Sequence, residues 1–350
     1  MKCLLVSFYF PPAGGGGVQR PLKLAQYLPA MGIETHVLAP DDPRWLHRDD
    51  ALRAPSQAWV HRARYVGVSG GKPSEVLAGT HGLDRLATHA RLQLRRLVVP
   101  DENATWALTA VPAGIRIARE HDIDVVVSTS PPPSTHLIAA AIARATGARW
   151  VADLRDSLVA HAHRRADSTA TRLKSSLHGR VARLVAARAD AITCVSEAIS
   201  EETRSLAPRG RVVTIANGCD FDDVAGLERH PSERFRITHT GSFFGRRDPR
   251  PFLQALHDSR LDVAARFLGD FRPADREWAE SLGLGDRLEL LPYAPPDDPV
   301  AIREALEGLH ARWRGDGLPD VQLSDDWRRR LSRRTRVEEM AALLHDVVSG

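Results

Sequence analysis

The sequence lacks any run of about 18 apolar residues, the length that a membrane-spanning helix needs. Its first residues also lack the succession of basic, apolar and small residues that marks a secretory signal peptide. From these two absences we expect a cytoplasmic protein.

Cysteine is scarce, with three in 350 residues. Cys3, Cys194 and Cys219 lie on predicted strands or beside one, and their spacing is not that of a zinc site or a disulfide framework. We therefore expect all three to behave as small buried apolar side chains.

A strong charge excess is also missing, because 48 Lys and Arg stand against 44 Asp and Glu, which leaves a net charge of +4. Nucleic acid is a candidate partner on charge alone, but the arginines are dispersed and no recognised binding motif accompanies them. We expect no nucleic-acid partner. A negatively charged small substrate or an anionic lipid surface explains the same balance.

Segment 83–99, LDRLATHARLQLRRLVV, is the candidate for contact with a lipid surface. Its apolar residues recur at helical spacing and its arginines form a basic face, which predicts an amphipathic helix. Such a helix either contacts the inner face of an anionic membrane or is a solvated face packed on a core.

The length is about twice that of a common domain, which predicts two domains. Apolar runs typical of buried strands alternate with helical patterns, so we expect an α/β fold with doubly wound parallel sheets and ligands at the carboxyl ends of the strands. The predicted strands before the polar linker are 35–40, 59–66, 124–130, 150–156, 191–196 and 212–218, together with the first apolar run. Those after it are 235–243, 265–271 and 287–293.

The opening stretch, Lys2 to Met31, reads KCLLVSFYF, then PPAGGGG, then VQRPLKLAQYLPAM. It predicts a buried strand, a glycine loop at Gly14, Gly15, Gly16 and Gly17, and a helix whose N-terminus presents unpaired N–H groups to an anion such as phosphate or carboxylate. The alternative is a merely flexible turn. A nicotinamide site is not favoured, because Gln19 stands where the third glycine of that fingerprint should be.

Several stretches of this sequence resemble the GT-B glycosyltransferases, specifically the retaining family 4 group that uses nucleotide sugars. They occur in the family's order and cover most of the chain. The stretches are YFPPAGGGGVQRPLKLAQYLPAMGIETHVLAP, DVVVSTSPPPSTHLIAAAIARATGARWVADLRD, ARADAITCVSEAIS, IANGCDFDDV and HTGSFFGRRDPRPFLQAL.

The resemblance implies two Rossmann-like domains that face each other across a cleft, the second one reduced. It places an acceptor-binding domain at 1–218, a linker at 219–231, a shortened donor-binding domain at 232–313, and helices that cross back to the first domain at 314–350. The glycine loop matches the family's loop near the donor diphosphate.

In the second domain, Gly241, Ser242, Arg246 and Arg247 match the loop that follows its first strand. There a basic side chain neutralises the departing diphosphate without a metal, and we expect no metal and no cofactor beyond the nucleotide sugar. The alternative for the two arginines is a solvated pair at the surface.

At the end of strand 150–156 many family members carry a histidine, where this chain has Arg155 between Asp153 and Asp156. These three are the candidate catalytic residues, since an aspartate can orient a sugar hydroxyl or accept the acceptor's proton. An internal ion-pair cluster is the alternative. His136 either faces the cleft or is an ordinary histidine, buried or at the surface, and Asn217 with Gly218 is interpreted as a structural turn.

After Tyr293 the family's next strands and helices are absent, a gap on the order of 60 to 90 residues for two βα units. The following segment, PDDPVAIREALEGLHARW, resembles the family's closing helix, and no glutamate pair separated by seven residues remains in 295–348. In the tail, Thr335 and Glu338 predict a capping box that opens the last helix.

The resemblance implies a glycosyltransferase of the hexosyltransferase type that uses a nucleotide sugar and a saccharide or lipid-linked acceptor, with retention, in cell-envelope or exopolysaccharide synthesis. Its missing segment predicts impaired activity. The alternatives are a non-catalytic binding or scaffold protein of the same architecture and a nucleotide-sugar epimerase.

Overall fold

The computed structural model describes residues 1–41, 48–67, 98–159, 169–221, 235–241, 243, 248–258, 263–269, 271, 273–291 and 324–350. These residues divide into two compact units. The first unit takes in the described residues of Met1–His161, Ala166–Asp220 and Trp327–Gly350, and the second takes in those of Phe221–Asp326.

The first unit is built on parallel strands that match the predicted pattern. They are β1 (Lys2–Ser7), β2 (Glu34–Pro40), β3 (Trp59–Ala63), β4 (Val125–Ser130), β5 (Arg149–Leu154), β6 (Ala191–Cys194) and β7 (Arg211–Thr214). The sheet order is β3-β2-β1-β4-β5-β6-β7, and every neighbouring pair is parallel. All of β4 is buried, as a strand covered on both faces must be.

Helices follow the strands in alternation. The described helices are α1 (Gly16–Tyr27), α2 (Ala107–Glu120), α3 (Ser134–Thr146), α4 (Thr169–Arg188), α5 (Glu197–Arg204), α6 (Arg250–Asp258), α7 (Pro273–Ser281), α8 (Asp325–Leu331) and α9 (Arg333–Ser349). Short 3-10 turns occupy Leu28–Met31, Ala104–Trp106 and Gly285–Arg287. None of the described helices combines the length and the apolar character needed to cross a membrane.

Two apolar cores lie on opposite faces of this sheet. On one face α2, α3 and α4 pack through residues such as Ile117, Ile142 and Val185. On the other face α1 and α9 pack through residues such as Leu24 and Leu344. Helix α9, at the end of the chain, therefore packs with α1 on one face of the sheet that contains β1.

The strand order reverses between β1 and β4, because β1 leads outward to β2 while β4 leads outward to β5. In doubly wound sheets the crevice at such a reversal, outside the carboxyl ends of the strands, is where ligands bind. The doubly wound α/β fold expected from the sequence is confirmed, and the reversal places the glycine loop after β1 beside the loop that follows β4.

The second unit contains a smaller parallel sheet of β8 (Phe235–Thr240), β9 (Val263–Leu268) and β10 (Leu288–Leu291), in the order β10-β9-β8. With α6 and α7 it encloses a core that includes Leu253 and Phe267. These are the three strands that the sequence predicts. The segment 296–313, interpreted as the closing helix, lies outside the described residues, as does most of the basic segment 83–99.

Three details differ from expectation. Cys219 is exposed, whereas Cys3 and Cys194 are buried as predicted. The capping box predicted at Thr335 is wrong, because α9 already begins at Arg333 and Thr335 lies inside it.

Helix α2 was not predicted, because a proline and a glycine interrupt its apolar pattern. Contact with α3 explains the glycine, since a Cβ at Gly114 would lie 2.2 Å from Cδ1 of Ile142.

Candidate functional site

The glycine loop joins β1 to α1 at the carboxyl edge of the first sheet. Gly15 has φ 86° and ψ 174°, a backbone conformation that is essentially restricted to glycine. Helix α1 begins at Gly16, and no side chain of the described residues caps its N-terminus. A Cβ at Gly16 would have no neighbour within 4 Å. The N-terminus of α1 is therefore open, which is the geometry that the predicted anion site requires.

Contacts from neighbouring segments hold this loop in place. The carbonyl of Pro12 accepts a hydrogen bond from the N–H of Asp49 at 2.9 Å. The guanidinium of Arg62 donates to the carbonyls of Pro11 and Pro40, the second at 3.0 Å. The backbone around Gly14 is thus fixed from the side of β2 and β3, and the open N-terminus of α1 has a defined position.

A row of polar side chains crosses the sheet near the carboxyl ends of three strands. Asp153 on β5 lies opposite Thr129 on β4 and Thr193 on β6 in the strand register. Both threonine hydroxyls donate to the Asp153 carboxylate, at 2.8 Å and 2.7 Å. The register of a parallel sheet alone brings these three residues together, on the face covered by α1.

Arg20 of α1 completes this row. Its guanidinium contacts both oxygens of Asp153, with Nη2 at 2.8 Å and Nε at 3.0 and 3.1 Å, and the carboxylate has no solvent exposure. Burial alone raises the pKa of Asp153, but the charge and hydrogen bonds of Arg20 and the two threonine hydroxyls hold the pKa below its ordinary value. Because both oxygens already accept hydrogen bonds, the geometry favours the ion-pair interpretation of Asp153 over a proton acceptor.

Arg155 ties the glycine loop to the end of β4. Its guanidinium donates to the carbonyl of Ser130 at 2.5 Å, to that of Pro131 at 3.4 Å, and to that of Gly17. Burial lowers the pKa of Arg155, which the charge of Asp153 partly offsets. The side chain bridges the two loops that flank the strand-order reversal, and we interpret it as the residue that fixes their separation.

His136 is fully buried in the first turn of α3, which excludes the surface alternative. Its Nδ1 lies 2.8 Å from the hydroxyl oxygen of Ser128, which also accepts the indole N–H of Trp150 at 2.9 Å. Its Nε2 is buried without a hydrogen-bond partner among the described residues. Burial lowers the pKa of His136 to about 4, so the ring is neutral at physiological pH.

The N-terminus of α3 is already occupied by a carboxylate. Asp101 accepts hydrogen bonds from the Ser134 N–H at 2.7 Å and from the Ser134 hydroxyl at 3.0 Å, and burial raises the pKa of Asp101. A helix N-terminus that already holds an acidic group is a poor site for a second anion. Of the two helix N-termini beside the strand-order reversal, the one at α1 is therefore the better anion site.

The remaining predicted site residues lie in different places. Asp156 is exposed, two residues after the end of β5. Gly241 directly follows β8 in the second unit, with φ 140° and its N–H bonded to the carbonyl of Leu268 at 2.8 Å. Ser242, Arg246 and Arg247 lie outside the described residues.

The turn at Asn217 and Gly218 packs against the start of α9. The carbonyl of Gly218 accepts two hydrogen bonds from Arg333 of α9, at 2.9 and 3.1 Å. A Cβ at Gly218 would lie 2.4 Å from the Cα of Arg333, so only glycine allows this approach. The side-chain oxygen of Asn217 accepts a hydrogen bond from Nη1 of Arg20 at 3.5 Å.

Three residues that shape this edge of the sheet were not predicted from the sequence, namely Arg20, Asp101 and Thr193. A signal for Arg20 was present, because a basic residue in the turn after Gly17 belongs to the helix that faces the strand ends. Asp101 carried no signal, since it lies 33 positions before Ser134, which it caps. Thr193 could be found only from the strand register.

Comparison with protein-family models matches residues 15–218 to the model described as "Glycosyl transferase 4-like domain". The match begins in the glycine loop and ends at Gly218, so it contains Asp153, Arg155 and His136. A search of curated proteins finds no match.

Among solved structures, similar folds include the lipopolysaccharide outer core galactosyltransferase WaaB, apo form (12% identity, 87% of this chain and 71% of that chain, TM-score 0.49). HepE from Anabaena in complex with UDP-glucose matches at 15% identity over 100% of this chain and 96% of that chain, with a TM-score of 0.49. The UDP-GlcNAc 2-epimerase from Methanocaldococcus jannaschii matches at 9% identity over 88% of this chain and 76% of that chain, with a TM-score of 0.43. Likenesses at this level assign no ligand or activity to this chain.

Proposed function

This chain belongs to the glycosyl transferase 4-like family, as the sequence resemblance predicts, and we propose that it transfers a sugar from a nucleotide sugar to an acceptor hydroxyl. The observation that carries the proposal is the open N-terminus of α1 at Gly15 and Gly16, beside the strand-order reversal. Unpaired N–H groups and the positive end of the helix dipole suit the diphosphate of such a donor.

The chemistry of transfer explains why an anion site is needed. Transfer forms a bond between the acceptor oxygen and the sugar and breaks the bond between the sugar and the phosphate oxygen, so negative charge builds on the leaving diphosphate, which takes up the proton of the acceptor hydroxyl. Backbone N–H groups at a helix N-terminus and a guanidinium stabilise that charge. We assign the first role to the glycine loop and the second to Arg246 and Arg247, which follow Gly241 and Ser242 in the sequence. In this proposal no metal takes part in transfer, so the rate should not depend on added Mg²⁺ or Mn²⁺.

The candidate catalytic residues take two kinds of role in this proposal. Asp153 and Arg155 are positioning residues, because their polar atoms are used in bonds to the protein. Asp156 is exposed and is the carboxylate left to orient a sugar hydroxyl. We also propose that transfer proceeds with retention, which NMR of the product's anomeric proton checks directly.

The acceptor is proposed to be a saccharide or a lipid-linked saccharide of the cell envelope, handled in the cytoplasm at the inner face of the membrane through segment 83–99. Vesicle flotation tests this. The full chain should float with vesicles containing anionic lipid and remain behind with neutral ones, whereas equal recovery with both would remove the membrane part of the proposal.

Calorimetry of the full chain with a panel of nucleoside diphosphates and their sugars tests the function itself. We expect one nucleotide to bind more tightly than the others, and its sugar to be transferred to saccharide acceptors or released slowly to water. Binding without turnover supports the scaffold alternative, and conversion of the sugar without an acceptor supports the epimerase. Silence across the panel contradicts the donor site.

Gly16→Ala tests whether the loop is the place where the diphosphate binds. The added methyl group meets no protein atom within 4 Å, so the thermal midpoint should be unchanged or slightly raised, while affinity for the nucleotide should fall at least ~10-fold because the methyl group occupies the ligand's approach. Gly179→Ala in α4 is the matched control, since its Cβ also meets open space. Equal nucleotide affinity in both variants would move the site elsewhere.

A further inference from the structure

Three histidines from separate parts of the chain meet in the first unit. His36 lies on β2, His61 lies on β3, and His121 directly follows α2. Each offers a ring nitrogen, and these atoms all lie within 4.8 Å of one another. The closest pair is His36 Nδ1 and His61 Nε2, at 3.0 Å. His36 is buried, whereas the other two are partly exposed, so an ion can reach the cluster from solvent.

The cluster is separate from the proposed donor site. His36 is the third residue of β2, close to the amino end of that strand, and the glycine loop lies at the carboxyl edge. Helix α2 leads directly into the parallel strand β4, so the last residue of α2 lies at the amino edge of the sheet. That position explains how His121 reaches the strand residues.

Glu34 orients the buried member of the set. Nε2 of His36 donates to a carboxylate oxygen of Glu34 at 2.9 Å, which leaves the lone pair of Nδ1 directed toward His61. Metal-bound histidines usually donate their other ring N–H to a carboxylate or carbonyl in this way, and the arrangement raises their basicity. The alternative explanation of the cluster is a hydrogen bond from His61 to His36. That bond involves only two of the three rings, so it does not explain why His121 lies beside them.

The two positive side chains near the cluster each have an acidic neighbour. Arg116 is paired with Glu120 at 2.9 Å, and Glu34 balances the nearby charge of Lys2.

We propose that His36 Nδ1, His61 Nε2 and a ring nitrogen of His121 bind one zinc ion, with water as the fourth ligand. Nitrogens bound to a tetrahedral zinc ion lie about 3.3 Å apart, which follows from the usual bond length of about 2.0 Å. The His36 to His61 separation needs only a small opening to reach that spacing. The ion would link β2, β3 and the end of α2, a role that does not depend on the proposed transferase function.

The test uses the full, untagged chain, freed of metal by a chelator that is then removed. Titration with zinc in a calorimeter should show one tight site, and zinc should raise the thermal midpoint. His61→Ala and His121→Ala should each weaken zinc binding at least ~10-fold and abolish the thermal shift. Glu34→Gln, which removes the orienting carboxylate, should cost about 10- to 100-fold in affinity.

His345→Ala is the matched control, because His345 is exposed on α9 in the same unit. It should bind zinc as the unsubstituted chain does. Absence of tight zinc binding in the unsubstituted chain overturns the proposal, and so does binding that survives in the double variant of His61 and His121. Circular dichroism of each apo variant separates loss of the site from loss of the fold.

Discussion

Replacing Asp153 with alanine should lower the free energy of unfolding of the first unit by about 3–5 kcal/mol, because it leaves a buried cation without its partner. The guanidinium of Arg20 is about nine-tenths covered, with a side-chain exposure of 10%, and Asp153 has none. The same change also strands the hydroxyls of Thr129 and Thr193, which donate to the carboxylate. Removing Arg20 instead should cost a similar amount, since the carboxylate then loses its counter-charge.

Denaturant unfolding followed by tryptophan fluorescence measures this effect, since Trp106 and Trp150 are buried in the first unit. The double variant Arg20→Ala with Asp153→Ala should lose less than the sum of the two single changes, because neither buried charge then remains unpaired. Arg116→Ala is the control. It removes one member of an ion pair that is more than half exposed, and we expect a loss below about 1 kcal/mol. Equal losses for Arg116 and Asp153 would contradict the assignment of Asp153 as a buried anchor.

At the carboxyl edge of the first sheet, the sequence predicts those elements that depend on residues adjacent in the chain. The strand, glycine loop and helix at the start of the chain follow from local composition, and the structure confirms all three. The importance of Asp153 was also visible, because a charged residue at the end of an apolar strand requires a reason. Its position alone left two interpretations open, an acid-base group and an ion pair.

The choice between those interpretations depends on contacts that no local pattern contains. Arg20 lies 133 positions from Asp153, and the two threonines reach it only through the register of three strands. The histidine cluster was missed for the same reason, since His36, His61 and His121 share no short spacing. Long-range pairing therefore decides what each residue does at this site, whereas composition decides where the elements form.

The stability of the first unit should also fall as the pH is lowered from about 6.5 to about 4, in part because of His136. Burial lowers the pKa of this histidine from 6.5 to about 4, so between these values the unfolded chain binds a proton that the folded chain does not. The contribution of His136 to the free energy of unfolding therefore rises with pH through this window and is constant above it. One histidine with this shift accounts for about 3 kcal/mol across the window.

His136→Asn isolates this contribution. Asparagine retains a polar group that can replace the Nδ1 contact with Ser128 and does not titrate, so the variant's unfolding free energy should depend less steeply on pH between 4 and 6.5. His36 and His61, whose pKa values are also lowered by burial, contribute a slope of the same sign in both proteins and cancel in the comparison.

A direct measurement accompanies the comparison in case the asparagine variant folds poorly. In NMR spectra of the unsubstituted chain, the ring resonances of His136 should remain those of a neutral imidazole at pH 5.5, where an ordinary histidine with a pKa of about 6.5 is mostly protonated. The physical cause is that the ring has no solvent exposure and its Nε2 has no hydrogen-bond partner among the described residues, so a charge there would be poorly stabilised. A titration midpoint near 6.5 would show that water or an anion reaches Nε2, and would place His136 in the ligand-binding crevice rather than beneath it.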